Sequence, residues 1–162
     1  MANEDLDCID PLLGNQEIRQ SVMESLAAVG RCFQLTSRIT LCAGVSPQAV
    51  EELASTRGRW SFLFIDGDHE APGPLNDAVT CERFAEADAM IVFHDLASPA
   101  VAAGLDYLRQ RGWDTRVYQT AQIMGVAWRG NVRPVEHAPD PRIRWSLPAH
   151  LAGYSVSGAA GI

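Results

Sequence analysis

Two short segments hold most of the chemistry this chain could perform. Residues 62–70 read FLFIDGDHE and residues 90–95 read MIVFHD, so each apolar run stops at a cluster of aspartate and histidine, and CIDP at 8–11 ends in the same way. Asp66 and Asp95, with His94, Asp68 and His69 beside them, form an oxygen-rich donor set with one or two nitrogens. Such a set suits magnesium or manganese, and iron where histidine ligates. Each residue also has a structural role open to it. Aspartate after a strand is a common turn former, the Asp66–Gly67 pair is itself a turn signal, and His94 could point into the core. The coincidence of DGDH and HD at two successive strand ends favours a metal or catalytic role.

The surrounding pattern says how the clusters could meet. From Asn15 the spacing is helical: Ile18, Val22, Leu26 and Val29 share one face, Asn15 can cap the start and Gly30 can end it. RITLCA at 38–43 reads as a strand, and Ser46 followed by Pro47 starts a helix whose stripe is Val50, Leu53 and Ala54. FLFID has no alternation, as expected of a central parallel strand covered on both faces. A helix over about 74–85, the strand AMIVF at 89–93 and a helix from Ser98–Pro99 to Gly112 follow. TRVYQ and IMGVAW are then close enough for a hairpin and too close for a parallel crossover.

This order predicts an α/β fold: a Rossmann-like, doubly wound, mostly parallel sheet with an antiparallel C-terminal hairpin. In such sheets ligands bind at the carboxyl ends of the strands, where Asp10, Asp66 and Asp95 all stand. Neighbouring strands lie about 4.8 Å apart, so side chains leaving adjacent ends can surround one ion. The expected organisation is one α/β domain over 1–130 and a proline-rich tail over 131–162. Pro134, Pro139, Pro141 and Pro148 break every pattern in that tail, while Ile143, Trp145 and Leu147 would order part of it on the surface. Trp145 and Tyr154 could stack on a ring or sugar, or simply pack.

Composition excludes several classes. The net charge of -7 opposes a phosphate backbone, so no nucleic-acid partner is expected. All 13 basic residues are arginine, which rules out a P-loop lysine, a Schiff base and a kinase-type lysine and counts against a phospho-acceptor receiver domain. No apolar run approaches the roughly 20 residues that span a bilayer, and the start MANEDLDC is acidic where a signal peptide is basic, so a cytoplasmic protein without a membrane partner is expected. Cys8, Cys32, Cys42 and Cys81 lack CxxC spacing and read as buried reduced thiols.

DLDCIDP, RITLCAGVS, FLFIDGDHE, MIVFHD and the closing TRVYQ and IMGVAWRG hairpin resemble successive landmarks of class I S-adenosylmethionine (SAM)-dependent methyltransferases. The nearest match is the small-molecule O-methyltransferase branch, whose fourth strand ends in IDGDH and whose fifth ends in HD. The resemblance covers roughly residues 5–130. It implies that Asp10 takes the place of the acid that binds the cofactor ribose, and that Gly44, Val45 and Ser46 match the loop along the adenine. Asp66 falls with these cofactor-binding positions and also, with His94 and Asp95, at positions that hold a divalent metal, Mg or Mn. His69 or His94 would be the general base. A metal would lower the pKa of a substrate hydroxyl for attack on the methyl sulfonium.

In that family a first strand and a glycine-rich GxGxG loop should precede CIDP, where this sequence has seven residues and no glycine. The fold expected is therefore a truncated methyltransferase fold, in a fragment, in a chain whose sheet is completed by a second copy or a partner subunit, or in a sheet that has closed up. Three functions follow. The first is a metal-assisted SAM-dependent methyltransferase acting on a hydroxyl of a small molecule. The second is a metal-dependent enzyme on a remodelled scaffold, performing hydrolysis, elimination or isomerisation without SAM. The third is a non-catalytic partner subunit.

Overall fold

The segment LDCI forms strand β1 (Leu6–Ile9), and Asp10 ends it by accepting the Leu12 N–H at 2.7 Å, which caps a 3-10 turn over Pro11–Gly14. The computed structural model describes residues 5–34, 38–142 and 146–157. It divides into two compact units, Met1–Thr56 and Arg57–Ile162.

In the first unit Asn15 caps helix α1 (Gln16–Phe33) as expected, its Oδ1 accepting the N–H groups of Glu17 at 2.9 Å and Ile18 at 3.3 Å. The helix does not stop at Gly30. It continues to Phe33 and ends where Gln34, at φ 55°, turns left-handed and donates its N–H to the Gly30 carbonyl. Strand β2 (Ile39–Cys42) pairs parallel with β1, from Leu6 opposite Ile39 to Ile9 opposite Cys42. Helix α2 (Gln48–Arg57) follows and buries Ala49, Val50 and Ala54. The stripe of α1 is less well covered than its spacing implies, since no residue of that helix is buried.

The second unit contains β3 (Trp60–Ile65), α3 (Gly73–Phe84), β4 (Ala85–Phe93), α4 (Pro99–Gln110), β5 (Asp114–Tyr118), β6 (Met124–Arg129) and a short β7 (Val156–Ser157). The strands lie in the order β3-β4-β6-β5-β7. The β3–β4 and β5–β7 pairs are parallel, whereas β6 runs antiparallel to both β4 and β5. The α/β, Rossmann-like class with an antiparallel C-terminal hairpin is thus what the chain adopts. FLFID, however, is not a central strand in this sheet. Among the described residues β3 pairs with β4 alone; Leu63 and Ile65 face the core under α3 and α4, while Phe62 and Phe64 on the opposite face are 58% and 51% exposed. The run without alternation reflects two apolar faces of which only one is covered.

The C-terminal segment does more than lie on the surface. Leu151 is fully buried in the main core, Tyr154 is buried beside it, and Val156–Ser157 add a strand to the sheet. Ile143 and Trp145 lie outside the described residues. Tyr154 is not available for stacking on a ligand: it donates its hydroxyl to Asp106 and carries the Arg109 guanidinium over its ring at 4.9 Å. Burial and the Asp106 hydrogen bond hold that phenol well above its ordinary pKa. Of the four cysteines only Cys81 is buried, where desolvation pushes its thiol up to about 12; Cys32 is exposed and Cys8 and Cys42 are half-buried.

Glu82 ties α3 to the end of α4. It accepts hydrogen bonds from the Tyr107 hydroxyl at 2.7 Å, the Trp113 indole at 3.3 Å and the Arg111 guanidinium at 3.3 Å. Burial works to raise its carboxyl, but the three donors and the Arg111 charge outweigh it, so the pKa lies below the ordinary glutamate value. A carboxylate whose folded pKa is depressed stabilises the fold above its unfolded value of about 4.3 and loses that contribution as pH falls through the folded value. Glu82→Gln is therefore expected to lower stability by about 1–2 kcal/mol at pH 7. The difference from the parent should close below about pH 4.3 in denaturant titrations across pH; a gap unchanged down to pH 3 would contradict the assignment.

Candidate active site at the ends of β3 and β4

The parallel register sets Leu63 opposite Ile91 and Ile65 opposite Phe93, so Asp66 and His94 leave two adjacent strands at the same level. The His94 N–H extends the ladder by donating to the Ile65 carbonyl at 3.1 Å. Its imidazole Nδ1 lies 3.2 Å from Asp66 Oδ1 and 2.8 Å from Asp95 Oδ2. Asp95 itself sits at φ 57°, in the left-handed region that aspartate tolerates better than most side chains. Backbone bonds fix this turn on both sides: Ser98 N–H donates to the Asp95 carbonyl at 2.9 Å, and Leu96 N–H donates to the Ile123 carbonyl at 2.9 Å.

The loop after β3 is shaped by its own polar groups. Asp68 accepts the Glu70 N–H at 2.9 Å, which is a turn-forming role and not one in the cluster. Gly73 permits this turn, since a Cβ there would lie 2.8 Å from Asp68 Oδ2. His69 comes back toward Asp95, its Nε2 at 3.2 Å from Asp95 Oδ2, and its carbonyl accepts the Ser98 hydroxyl at 3.3 Å. Ser98 stands at the expected cap position of α4, but its hydroxyl makes no cap bond there and instead ties the His69 loop to the Asp95 loop.

Asp66, His69 and Asp95 thereby offer two carboxylate oxygens and one imidazole nitrogen, all within 4.8 Å of one another. Two hard oxygens and a nitrogen at this spacing fit a six-coordinate divalent cation that keeps several waters, as magnesium or manganese does. Of the residues singled out in the sequence, Asp66, Asp95, His69 and His94 converge. His94 takes a different place from His69, directing Nδ1 at both carboxylates. Ionised carboxylates only accept, so the ring nitrogen that faces them, Nδ1, carries a proton.

The other sequence candidates lie in the first unit. Asp10 is exposed at the end of β1, where its N–H donates to the Cys42 carbonyl at 3.2 Å and its Oδ1 caps the following turn. A carboxylate has about four acceptor sites, so this cap leaves capacity for a ligand diol. Gly44 follows β2 and cannot carry a side chain without displacement, because a Cβ would lie 2.7 Å from that of Ala49. Val45 is exposed, its carbonyl accepting the Ala49 N–H at 3.0 Å, and Ser46 lies in the turn before α2.

Two further groups were hidden in the sequence. Asp77 is a buried acid on α3, close enough to the DGDH loop that a Cβ on Gly67 would come within 3.4 Å of its carboxylate. His150 joins its Nε2 to the Leu96 carbonyl at 3.0 Å, although 54 residues separate them. Neither belongs to a motif; both are recognisable only from tertiary placement.

Among known families, one described as a methyltransferase domain matches residues 1–96. That is more than half of the 162-residue chain and includes Asp10, Asp66, His69, His94 and Asp95, so the chain belongs to the methyltransferase-domain family. No curated protein and no solved structure matches it significantly. Among the described residues no helix is long and apolar enough to cross a membrane.

The geometry calls for a proton on His94 Nδ1, which can be read directly. At neutral pH the two-bond proton–nitrogen NMR spectrum should show His94 protonated at Nδ1, and Asp95→Ala should shift that resonance. A His94 ring carrying its proton on Nε2 alone would contradict the arrangement.

Proposed function

We propose that this protein is a SAM-dependent, metal-assisted methyltransferase of the small-molecule O-methyltransferase branch, transferring a methyl group to a hydroxyl. The observation that carries the reading is the Asp66–His69–Asp95 cluster at two adjacent strand ends of a methyltransferase-family chain. In the first unit, Asp10 would accept the ribose hydroxyls and the Gly44–Ser46 loop would lie along the adenine. In the second, Asp66 and Asp95 with the imidazole of His69 would hold Mg or Mn.

When bound, SAM supplies an electrophilic methyl group and the cation lowers the pKa of the acceptor hydroxyl. The protein's own part is to orient that hydroxyl and take its proton. His94, whose Nδ1 faces the carboxylates, is a candidate for that role through Nε2, and His69 is the other candidate base. The displaced proton would then rest on the imidazole, whose charge the adjacent carboxylates would offset.

Calorimetric titration with SAM, with and without manganese, tests this reading. Micromolar SAM binding is expected, weakened at least about 10-fold by Asp10→Ala, a loss of about 1.4 kcal/mol. Asp66→Ala should abolish manganese binding. Manganese binding lost in Asp66→Ala but no heat with SAM would sink methyl transfer and leave metal-dependent hydrolysis, elimination or isomerisation.

A second reading concerns assembly and is favoured by β3. Its segment Trp60–Ile65 bears no charge, Phe62 and Phe64 are exposed, and among the described residues β3 has one neighbour. An open apolar edge of this kind suits an added strand from a second copy or a partner subunit. Sedimentation should show self-association that Phe62→Lys reduces; a monomer at 100 µM in both, to take a concentration of the order of typical transient dimers, would remove the second-copy version.

A further inference from the structure

We infer that His150, in the C-terminal segment, is a positioning residue that holds the Asp95 carboxylate in the cluster. The inference rests on the metal-site reading of Asp66, His69 and Asp95. It begins from the left-handed turn at Asp95, whose carboxylate direction is set by the peptide groups on either side. On the C-terminal side the Asp95–Leu96 peptide carries the Leu96 N–H, and the next peptide, Leu96–Ala97, carries the Leu96 carbonyl. The Leu96 N–H donates to the Ile123 carbonyl at 2.9 Å, and the Leu96 carbonyl is joined to His150 Nε2 at 3.0 Å. The Leu96 side chain is fully buried against Gly125, where even a Cβ would lie 2.6 Å from Leu96 Cδ2.

A carbonyl only accepts, so His150 must carry its proton on Nε2 to make this bond. The ring does not reach the loop from a loose tail. It belongs to a 3-10 turn over Ala149–Leu151, and the adjoining Leu151 is fully buried in the main core. The same segment continues through buried Tyr154 to β7 on the sheet. The chain's last described segment therefore bears on the loop between β4 and α4 through an Nε2–H donor anchored by apolar burial. Loss of the donor frees the Leu96–Ala97 peptide to rotate and loosens the turn that holds the Asp95 carboxylate against His69 and His94.

Partners that orient metal ligands affect affinity by about 10-fold or more when removed. Manganese affinity is measured by electron paramagnetic resonance of free Mn(II) in the full chain and in Asp66→Ala, His150→Phe and His150→Gln. His150→Phe keeps an aromatic ring and removes the donor, whereas His150→Gln restores an N–H donor. The metal-free ring nitrogen shifts of His69 and His94 are recorded in parallel. The inference expects about 10-fold weaker manganese binding in His150→Phe, displaced His69 and His94 shifts, and recovery to within about threefold in His150→Gln. Unchanged affinity and unchanged ring shifts in His150→Phe would overturn it, and so would a loss that His150→Gln fails to recover. Should His150→Phe not fold, His150→Ala replaces it under the same criteria. Failure of the metal reading is seen separately, as equal manganese binding by the parent and Asp66→Ala; the metal-free shifts then still decide whether His150 positions Asp95.

Discussion

Everything at this site depends on one backbone constraint, the left-handed turn at Asp95. A non-glycine residue in that region is held there by its surroundings. Here the preceding His94 is fixed to β3 through the Ile65 carbonyl, the following Leu96 is fixed to Ile123, and Ser98 closes the turn on the Asp95 carbonyl. The turn brings one carboxylate oxygen within 2.8 Å of His94 and 3.2 Å of His69. Without it, β4 would deliver His94 to the functional edge but would not point the adjacent acid back toward β3.

The fold supplies that constraint economically. Parallel pairing of β3 with β4 puts their two loops side by side, and β6 inserted between β4 and β5 brings the Ile123 carbonyl under Leu96. The cluster that results is rich in acid and poor in apolar cover, which suits a hydrated hard cation better than a closed structural site. Under the proposed function, a cation held there would prepare an oxygen nucleophile for methyl transfer.

Much of this was legible from local pattern. The Asn15 cap, the Ser98–Pro99 start of α4, the hairpin and the meeting of IDGDH with HD all follow from spacing and turn chemistry. What escaped was decided by partners distant in the chain. An apolar run such as FLFI cannot say whether it has a neighbour on both sides, and β3 has one among the described residues. Gly30 could end a helix, but the left-handed turn fell at Gln34 instead. Ser98 was readable as a cap, yet its hydroxyl goes to the His69 carbonyl. Proline breaks made the end of the chain look like surface, while Leu151 and Tyr154 complete the core.

The central claim is that the ends of β3 and β4 form one divalent-cation site. Anomalous diffraction from crystals of the full chain grown with manganese tests it most directly. The account predicts a single strong peak about 2.1–2.3 Å from carboxylate oxygens of Asp66 and Asp95, with the imidazole nitrogen of His69 completing the protein ligands. Well-ordered loops with no peak between them, or a peak held by other residues, would contradict it.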